Sequence, residues 1–186
     1  MAVVVLIFMK RITREAYNRK VVSLILITSV VVFLVGIAGF IRMYFVPFSS
    51  LETAYKLGYG GDISVVVEGT KSDYVIGNRE SHYLNKSEKG WRIPLISISI
   101  TKRIEKIDAT TIYVSQYNFS DDYYITLLNS EYNSLDIADS RNSKFYKLND
   151  EEDDKQAKGS IYHAHVHKID NEYNITVNGK NVELMQ

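Results

Sequence analysis

Twenty-one consecutive residues without a charge, Val21 to Ile41 (VVSLILITSVVVFLVGIAGFI), constrain this chain more than any other feature of its sequence. As a helix rising ~1.5 Å per residue, the stretch covers roughly the ~30 Å hydrocarbon core of a bilayer. Its polar side chains are Ser23, Thr28 and Ser29, whose hydroxyls can bond back to the helix that carries them. A buried helix of a soluble domain is the competing reading. An apolar surface all round would then need a larger core than the remaining chain supplies. Arg19 and Lys20 flank the stretch on one side and Arg42 on the other, and Tyr44, Phe45 and Phe48 follow as an interfacial aromatic belt. Pro47 cannot continue the helix.

The apolar run exceeds the ~7–15 residues of a cleaved signal peptide, and no small-x-small cleavage site follows it. The sequence therefore predicts a retained signal anchor. Charge sets its direction. Lys10, Arg11, Arg14, Arg19 and Lys20 precede the helix, and only Arg42 follows closely. By the positive-inside rule the N-terminus is cytoplasmic and the C-terminal domain extracytoplasmic, at the cell membrane. The domains expected are a basic tail (1–20), a transmembrane helix (21–41), a juxtamembrane linker (42–50) and an outer domain (51–186). The opening residues MAVVVLIF are apolar and stand before Met9-Lys10-Arg11. A start at Met9 would restore the basic-then-apolar order of a targeting segment.

Composition narrows the chemistry. The chain's 22 Lys+Arg equal its 22 Asp+Glu, but residues 1–49 carry a net of +5 and residues 50–186 a net of −5. That distribution speaks against nucleic acid as a partner. With no cysteine, disulfides, thiolate metal sites, cysteine nucleophiles and lipid attachment at cysteine are excluded.

Beyond residue 50 the signals are those of strands. Ser49-Ser50-Leu51-Glu52 reads as a capping box that starts a short helix over 50–57, with Gly58 as its left-handed stop. Strands are predicted over 63–67, 73–77, 82–85, 91–93, 95–100, 110–117, 123–128, 134–138, 144–148, 173–177 and 180–184. In Leu95–Ile100, Ile96, Ile98 and Ile100 alternate with Ser97 and Ser99, the pattern of a half-buried strand. Asn178-Gly179 between the last two strands predicts a type I′ turn. The fold class is thus an N-terminal transmembrane helix plus a mostly antiparallel β (α+β) outer domain with one short N-terminal helix. Sandwich and barrel stay open. Asp150–Asp154 is a run of five acids. It lacks the spacing of a calcium loop and reads as a solvated acidic loop.

One constellation could carry chemistry. In Ser160-Ile-Tyr-His-Ala-His-Val-His, the residues His163, His165 and His167 alternate, so on a strand they share one face. Two imidazoles at that spacing can lean onto one zinc, copper or nickel ion, and His82 or the acidic loop could add a ligand. Zinc is the cofactor this would imply. The competing reading makes the histidine face the wet side of an amphipathic strand, with Ala164 and Val166 inside. Asp121-Asp122 could be a carboxylate pair but more simply opens the strand at Tyr123. Trp91, the only tryptophan, reads as core with its N–H satisfied. Lys102, Arg103 and Lys106 form a small basic cluster. Asn85, Asn118 and Asn174 each open an N-x-Ser/Thr triplet. No nucleophile elbow, phosphate loop, dinucleotide fingerprint or H-E-x-x-H motif occurs.

The basic start, the single anchor, the helix with Ala54, the run Lys86-Ser-Glu-Lys-Gly-Trp-Arg-Ile-Pro94 and the ending Tyr173-Asn-Ile-Thr-Val-Asn-Gly-Lys180 resemble small single-pass, membrane-anchored extracytoplasmic proteins of Gram-positive bacteria. That resemblance implies a layout and brings no catalytic residues with it. The functional expectation is a surface protein whose outer domain binds or scaffolds, without catalysis. Its partners would be the lipid bilayer and a membrane or cell-surface protein. The alternative is a metal-binding or metal-dependent protein centred on the histidine row.

Overall fold

Because the long apolar stretch holds no helix breaker until Pro47, it forms one uninterrupted helix, α1 (Arg19–Tyr44), in the computed structural model. The structure describes residues 19–78, 80–131, 134–148 and 159–184. The opening octapeptide, Met9 and the acidic run Asp150–Asp154 lie outside them. At ~1.5 Å per residue, the 26 residues of α1 extend ~39 Å. Over Val21–Tyr44 the helix is apolar and long enough to cross a membrane, and none of that window is buried by the protein. The chain divides into two compact units, residues 1–42 and 43–186.

The second unit begins with α2 (Leu51–Gly58). Its N-cap is Ser50 rather than Ser49, with the Thr53 N–H donating to Ser50 Oγ at 3.3 Å. Glu52 therefore falls one position short of the capping-box site and pairs instead with Lys56, one turn on. Gly58 is the last helical residue, and the left-handed conformation passes to Gly60 (φ 73°) and Gly61 (φ 83°).

Among the described residues twelve strands follow, in three antiparallel sheets. The first is a meander of β1 (Ile63–Glu68), β2 (Ser72–Gly77), β3 (Ser81–Ser87) and β4 (Gly90–Arg92). The second contains β5 (Ser99–Ile107), β6 (Thr110–Tyr117), β7 (Asp122–Asn129), β9 (Tyr146–Leu148) and β10 (Ser160–His167), in the order β5-β6-β7-β10-β9. The third sets β11 (Asn174–Val177) between β12 (Lys180–Glu183) and β8 (Ile137–Asp139). Asn178 (φ 48°) and Gly179 (φ 74°) both take the left-handed conformation that the Asn-Gly pair predicts.

Alternation along the strands builds layers. Val66, Val75 and Leu84 of the first sheet pack with Ala54 and Tyr55 of α2. Their neighbours Val65, Val67, Tyr74, Ile76 and Tyr83 face the other way, against Tyr117 and Tyr124 of the second sheet. That sheet's opposite face, with Ile112, Ile125, Leu127 and Val166, meets Ile175, Val177 and Val182 of the third. Helix and three sheets thus lie in sequence, and the two inner sheets are covered on both faces. Each fully buried Ile, Leu or Val is worth ~1.5–3 kcal/mol.

One predicted strand is corrected. Residues 95–98 belong to no strand, and Leu95, Ile96, Ile98 and Ile100 are exposed by 41% to 71%. Alternation placed the three isoleucines on one side, but among the described residues no layer covers that side.

Candidate functional site

The candidate site is the polar seam between the first and second sheets, and it is built around Asp122 rather than around the histidines. Ser120 and Asp121 turn the chain out of β6, so Asp122 opens β7 with its carboxylate buried. Opposite lies the turn between β1 and β2. Its backbone N–H groups at Thr70, Lys71 and Ser72 donate to the two carboxylate oxygens of Asp122 at 3.3, 2.7 and 3.2 Å. This turn closes tightly because residue 69 is glycine. A Cβ there would fall on Ser72 O and on the Tyr124 hydroxyl.

Register brings the histidines to the same place. Strand β10 runs antiparallel to β7, pairing His163 with Thr126, His165 with Tyr124 and His167 with Asp122. His165 Nε2 lies 3.0 Å from Asp122 Oδ1, and His167 Nδ1 lies 3.8 Å from that same oxygen. Further along, His163 Nδ1 pairs with the Thr126 hydroxyl at 3.0 Å, with its ring beside Tyr74. Exposure rises along the row: His163 is buried, His165 half-buried and His167 exposed.

The wet-face reading of the row is therefore wrong. Tyr162 and Val166 do pack in the core toward the third sheet. The histidine face, however, looks into the first sheet, because β10 belongs to an inner layer. A period of two tells which residues share a face and leaves open what that face meets.

Electrostatics follow from this geometry. Burial alone would push the Asp122 carboxyl up. The hydrogen bond from His165 and the N–H donors of Lys71 and Thr70 outweigh it and hold Asp122 well below the usual carboxylate range. Burial depresses the His163 imidazole to about 4. Tyr124, whose hydroxyl lies 2.7 Å from Ser72 Oγ and 2.8 Å from Ser72 O, is raised by burial and by the nearby Asp122 charge.

An imidazole on a buried carboxylate is half of a nucleophilic triad, so the position of the hydroxyl decides what the group can do. Ser72 Oγ sits 3.4 Å from Asp122 Oδ2 and bonds Tyr124, so its partners are the carboxylate and a phenol instead of the imidazole. The relay of an acyl-transfer site needs the hydroxyl on the histidine. What the arrangement does is tie two sheets together through one charge. Asp73 repeats the device inside the first sheet, taking Trp91 Nε1 at 2.6 Å and Lys86 Nζ at 3.3 Å, as the core reading of Trp91 requires. Asp139 repeats it in the third, accepting from the Tyr173 hydroxyl at 2.8 Å and from the Ser143 N–H at 2.7 Å.

Among the described residues, no three His, Asp or Glu side chains are grouped so as to hold a metal ion. His82, considered as a further ligand, stacks on Tyr59 and pairs with Glu80. Asp121 is exposed, while its carbonyl accepts from the Lys168 N–H. The anchor-flanking Arg19 and Lys20 lie in the first turn of α1, and Arg42 lies in its last. Sequence reasoning named Asp122 only as one of a pair with Asp121, since nothing in an Asp-Asp pair before aromatic residues marks which carboxylate will be buried.

No family model, no curated protein and no solved structure matches the chain. The functional reading accordingly rests on the geometry of the chain.

Proposed function

We infer that the chain is a single-pass membrane protein. In this reading α1 is its retained anchor, the N-terminus is cytoplasmic, and the β-rich unit is an extracytoplasmic domain that binds or scaffolds at the cell surface. The observation that carries it is α1 itself: the uncharged run Val21–Ile41 lies within a 24-residue span, Val21–Tyr44, whose apolar window is not buried against the protein. In water such a surface would be left wet, at ~25 cal/mol for every Å². The five cations before the uncharged run Val21–Ile41 and the single Arg42 close behind it support the orientation. The polar seam supports a binding role over catalysis, since its charges are spent on holding sheets together.

Two measurements test this. A phosphatase reporter fused after Gln186 is active only outside the cytosol, and the chain stays with the membrane pellet in alkaline carbonate. Activity of a cytosol-only reporter at that position would overturn the topology. A photo-crosslinking amino acid scanned over exposed positions of the β unit in cells gives discrete protein adducts, and a scan without adducts removes the binding role.

The metal-dependent alternative draws on one observation, the convergence of His165 and His167 on a single oxygen of Asp122. Zinc titration of the full chain, with His165→Ala as control, decides it. Affinity no tighter than that of an unfolded histidine-rich peptide, or unchanged in the variant, ends this reading.

A further inference from the structure

Among the described residues the second sheet ends on β5, which pairs with β6 alone. Its outer backbone therefore faces solvent, and such an edge is a template for another strand unless something blunts it. The C-terminal half is blunted. A bulge between Arg103 and Glu105 breaks the register, and Arg103 and Lys106 are exposed charges. The N-terminal half is not. It carries Ile100 on the strand, with Leu95, Ile96 and Ile98 leading into it, all exposed. Beside Ile98 stands Phe119, 68% exposed, on a turn tied to Ile98 by the Asn118 N–H and side-chain amide oxygen. Asn118 (φ 46°) and Phe119 (φ 54°) are both left-handed, with the Ser120 N–H closing on Tyr117 O. A bulky residue in that conformation costs ~1–2 kcal/mol. The chain bears this cost while leaving the ring in water.

A groove of about 160 Å³ runs along the same strand. Ile100, Lys102 and Ile104 of β5 line it together with Val114, Ile169 and Leu184. An open edge with a side-chain groove beside it is the arrangement that receives an extended peptide. The backbone supplies affinity and the groove selects alternate side chains.

Charge identifies the occupant. Three cations, Lys102, Arg103 and Lys106, stand in β5 against the one acid Glu105, on a region of net −5. A second copy adding through the same edge would bring the two cation sets together. An anionic lipid surface would meet the cations but has no use for an open backbone.

We propose that the outer edge of β5 takes up, as an added strand, an extended segment of a partner protein that alternates apolar and acidic residues. Apolar side chains would enter the groove, on the face of β5 that carries Lys102, and lie against Ile98 and Phe119, with carboxylates on the opposite face reaching Arg103. The proposal rests on the reading of the β unit as a binding domain. It is independent of which side of the membrane that unit occupies.

The test uses the full chain in nanodiscs of uncharged phosphatidylcholine and two probes: a short peptide alternating valine with aspartate, and its lysine counterpart. The acidic probe binds, slows amide exchange over residues 99–103, and loses about tenfold in affinity on Lys102→Glu/Arg103→Glu, as expected for charges that steer and hold a partner. Ile98→Asp, which leaves those cations in place, weakens it as well. Both variants keep the slow exchange of Ile125 and Ile175, which reports an intact core. Equal binding of the two peptides, or binding without protection of β5, overturns the proposal. Protection, without peptide, of the β5 amides that point away from β6 also overturns it. Protection that appears on phosphatidylglycerol nanodiscs assigns the edge to lipid headgroups, and protection that grows with protein concentration assigns it to a second copy. Crosslinks formed elsewhere on the β unit but not near β5 would remove this edge and leave the binding role standing.

Discussion

Asp122 accepts from three consecutive backbone N–H groups and from His165, so one substitution unties a turn from a neighbouring sheet. Asp122→Ala leaves the buried Ser72 N–H without its acceptor and releases the Thr70–Lys71 turn. The expected cost is about 3 kcal/mol, read as a fall in urea midpoint followed by the fluorescence of Trp91. A midpoint within experimental error of the parent chain would show that the clamp is dispensable. His163 makes stability depend on pH. Its folded pKa is about 4 against an ordinary 6.5, so between those values the unfolded chain holds more protons and stability rises with pH. This contribution is complete above ~6.5 and disappears as pH falls toward 4, a difference of ~3 kcal/mol. Asp122 acts lower. Its carboxyl is held below the ordinary 3.8, so its share is present above that pH and is lost only as pH falls further. His163→Phe is expected to flatten the stability curve between pH 4 and 6.5 while leaving the steeper loss below. An unchanged slope would place the acid sensitivity elsewhere. The row of histidines was legible in the sequence. The neighbours that give its members different roles were not, because Thr126 and Asp122 reach the row through strand register, and the turn at Thr70–Ser72 reaches it through sheet packing.

Two turns of the same conformation show what a hairpin element can carry. Asn178-Gly179 and Asn118-Phe119 are both left-handed at both central residues, and the first was readable because glycine advertises it. The second was hidden, since phenylalanine is a poor choice for a positive φ. Phe119→Gly would convert one turn into the chemistry of the other. The expected result is a gain of about 0.5–1 kcal/mol in stability, the relieved strain less the greater freedom of glycine in the unfolded chain. The same variant should weaken the acidic probe peptide at β5. A variant that becomes less stable would mean that the exposed ring packs against something after all. The alternation of Leu95–Ile100 misled for a related reason. Ile96, Ile98 and Ile100 do share a spacing, but burial needs a second surface, and the sheet ends at β5. The strand Thr110–Tyr117, which lies between two layers, has the bounds that the sequence predicts.

At the scale of the whole chain, the antiparallel β character followed from local alternation and turn residues. The division into three sheets did not. It depends on β7 pairing with β10 across β8 and β9, two strands that join different sheets, and nothing local encodes so distant a partner. The opposite holds for α1, where every relevant property is local: length, the uncharged run Val21–Ile41, and an excess of cations before that run. A test of the anchor should therefore change only local hydrophobicity. Val31→Lys with Leu34→Lys puts two charges one turn apart, both on side chains that are exposed in α1. Each costs ~2.5–3.5 kcal/mol at the centre of a spanning helix. Neither touches the cores of the β unit, which draw on residues from Met43 onward. Membrane attachment and the folding of the β unit should then separate. The variant is expected to leave the pellet in alkaline carbonate, and a reporter after Gln186 should lose its extracytoplasmic activity, while the urea midpoint of the β unit stays where it was. If the double variant stays in the pellet, a surface other than α1 holds the chain to the membrane, and the apolar rim beside β5 becomes the first place to look. If the midpoint falls instead, α1 is packing against protein, and its apolar surface serves a core rather than a bilayer.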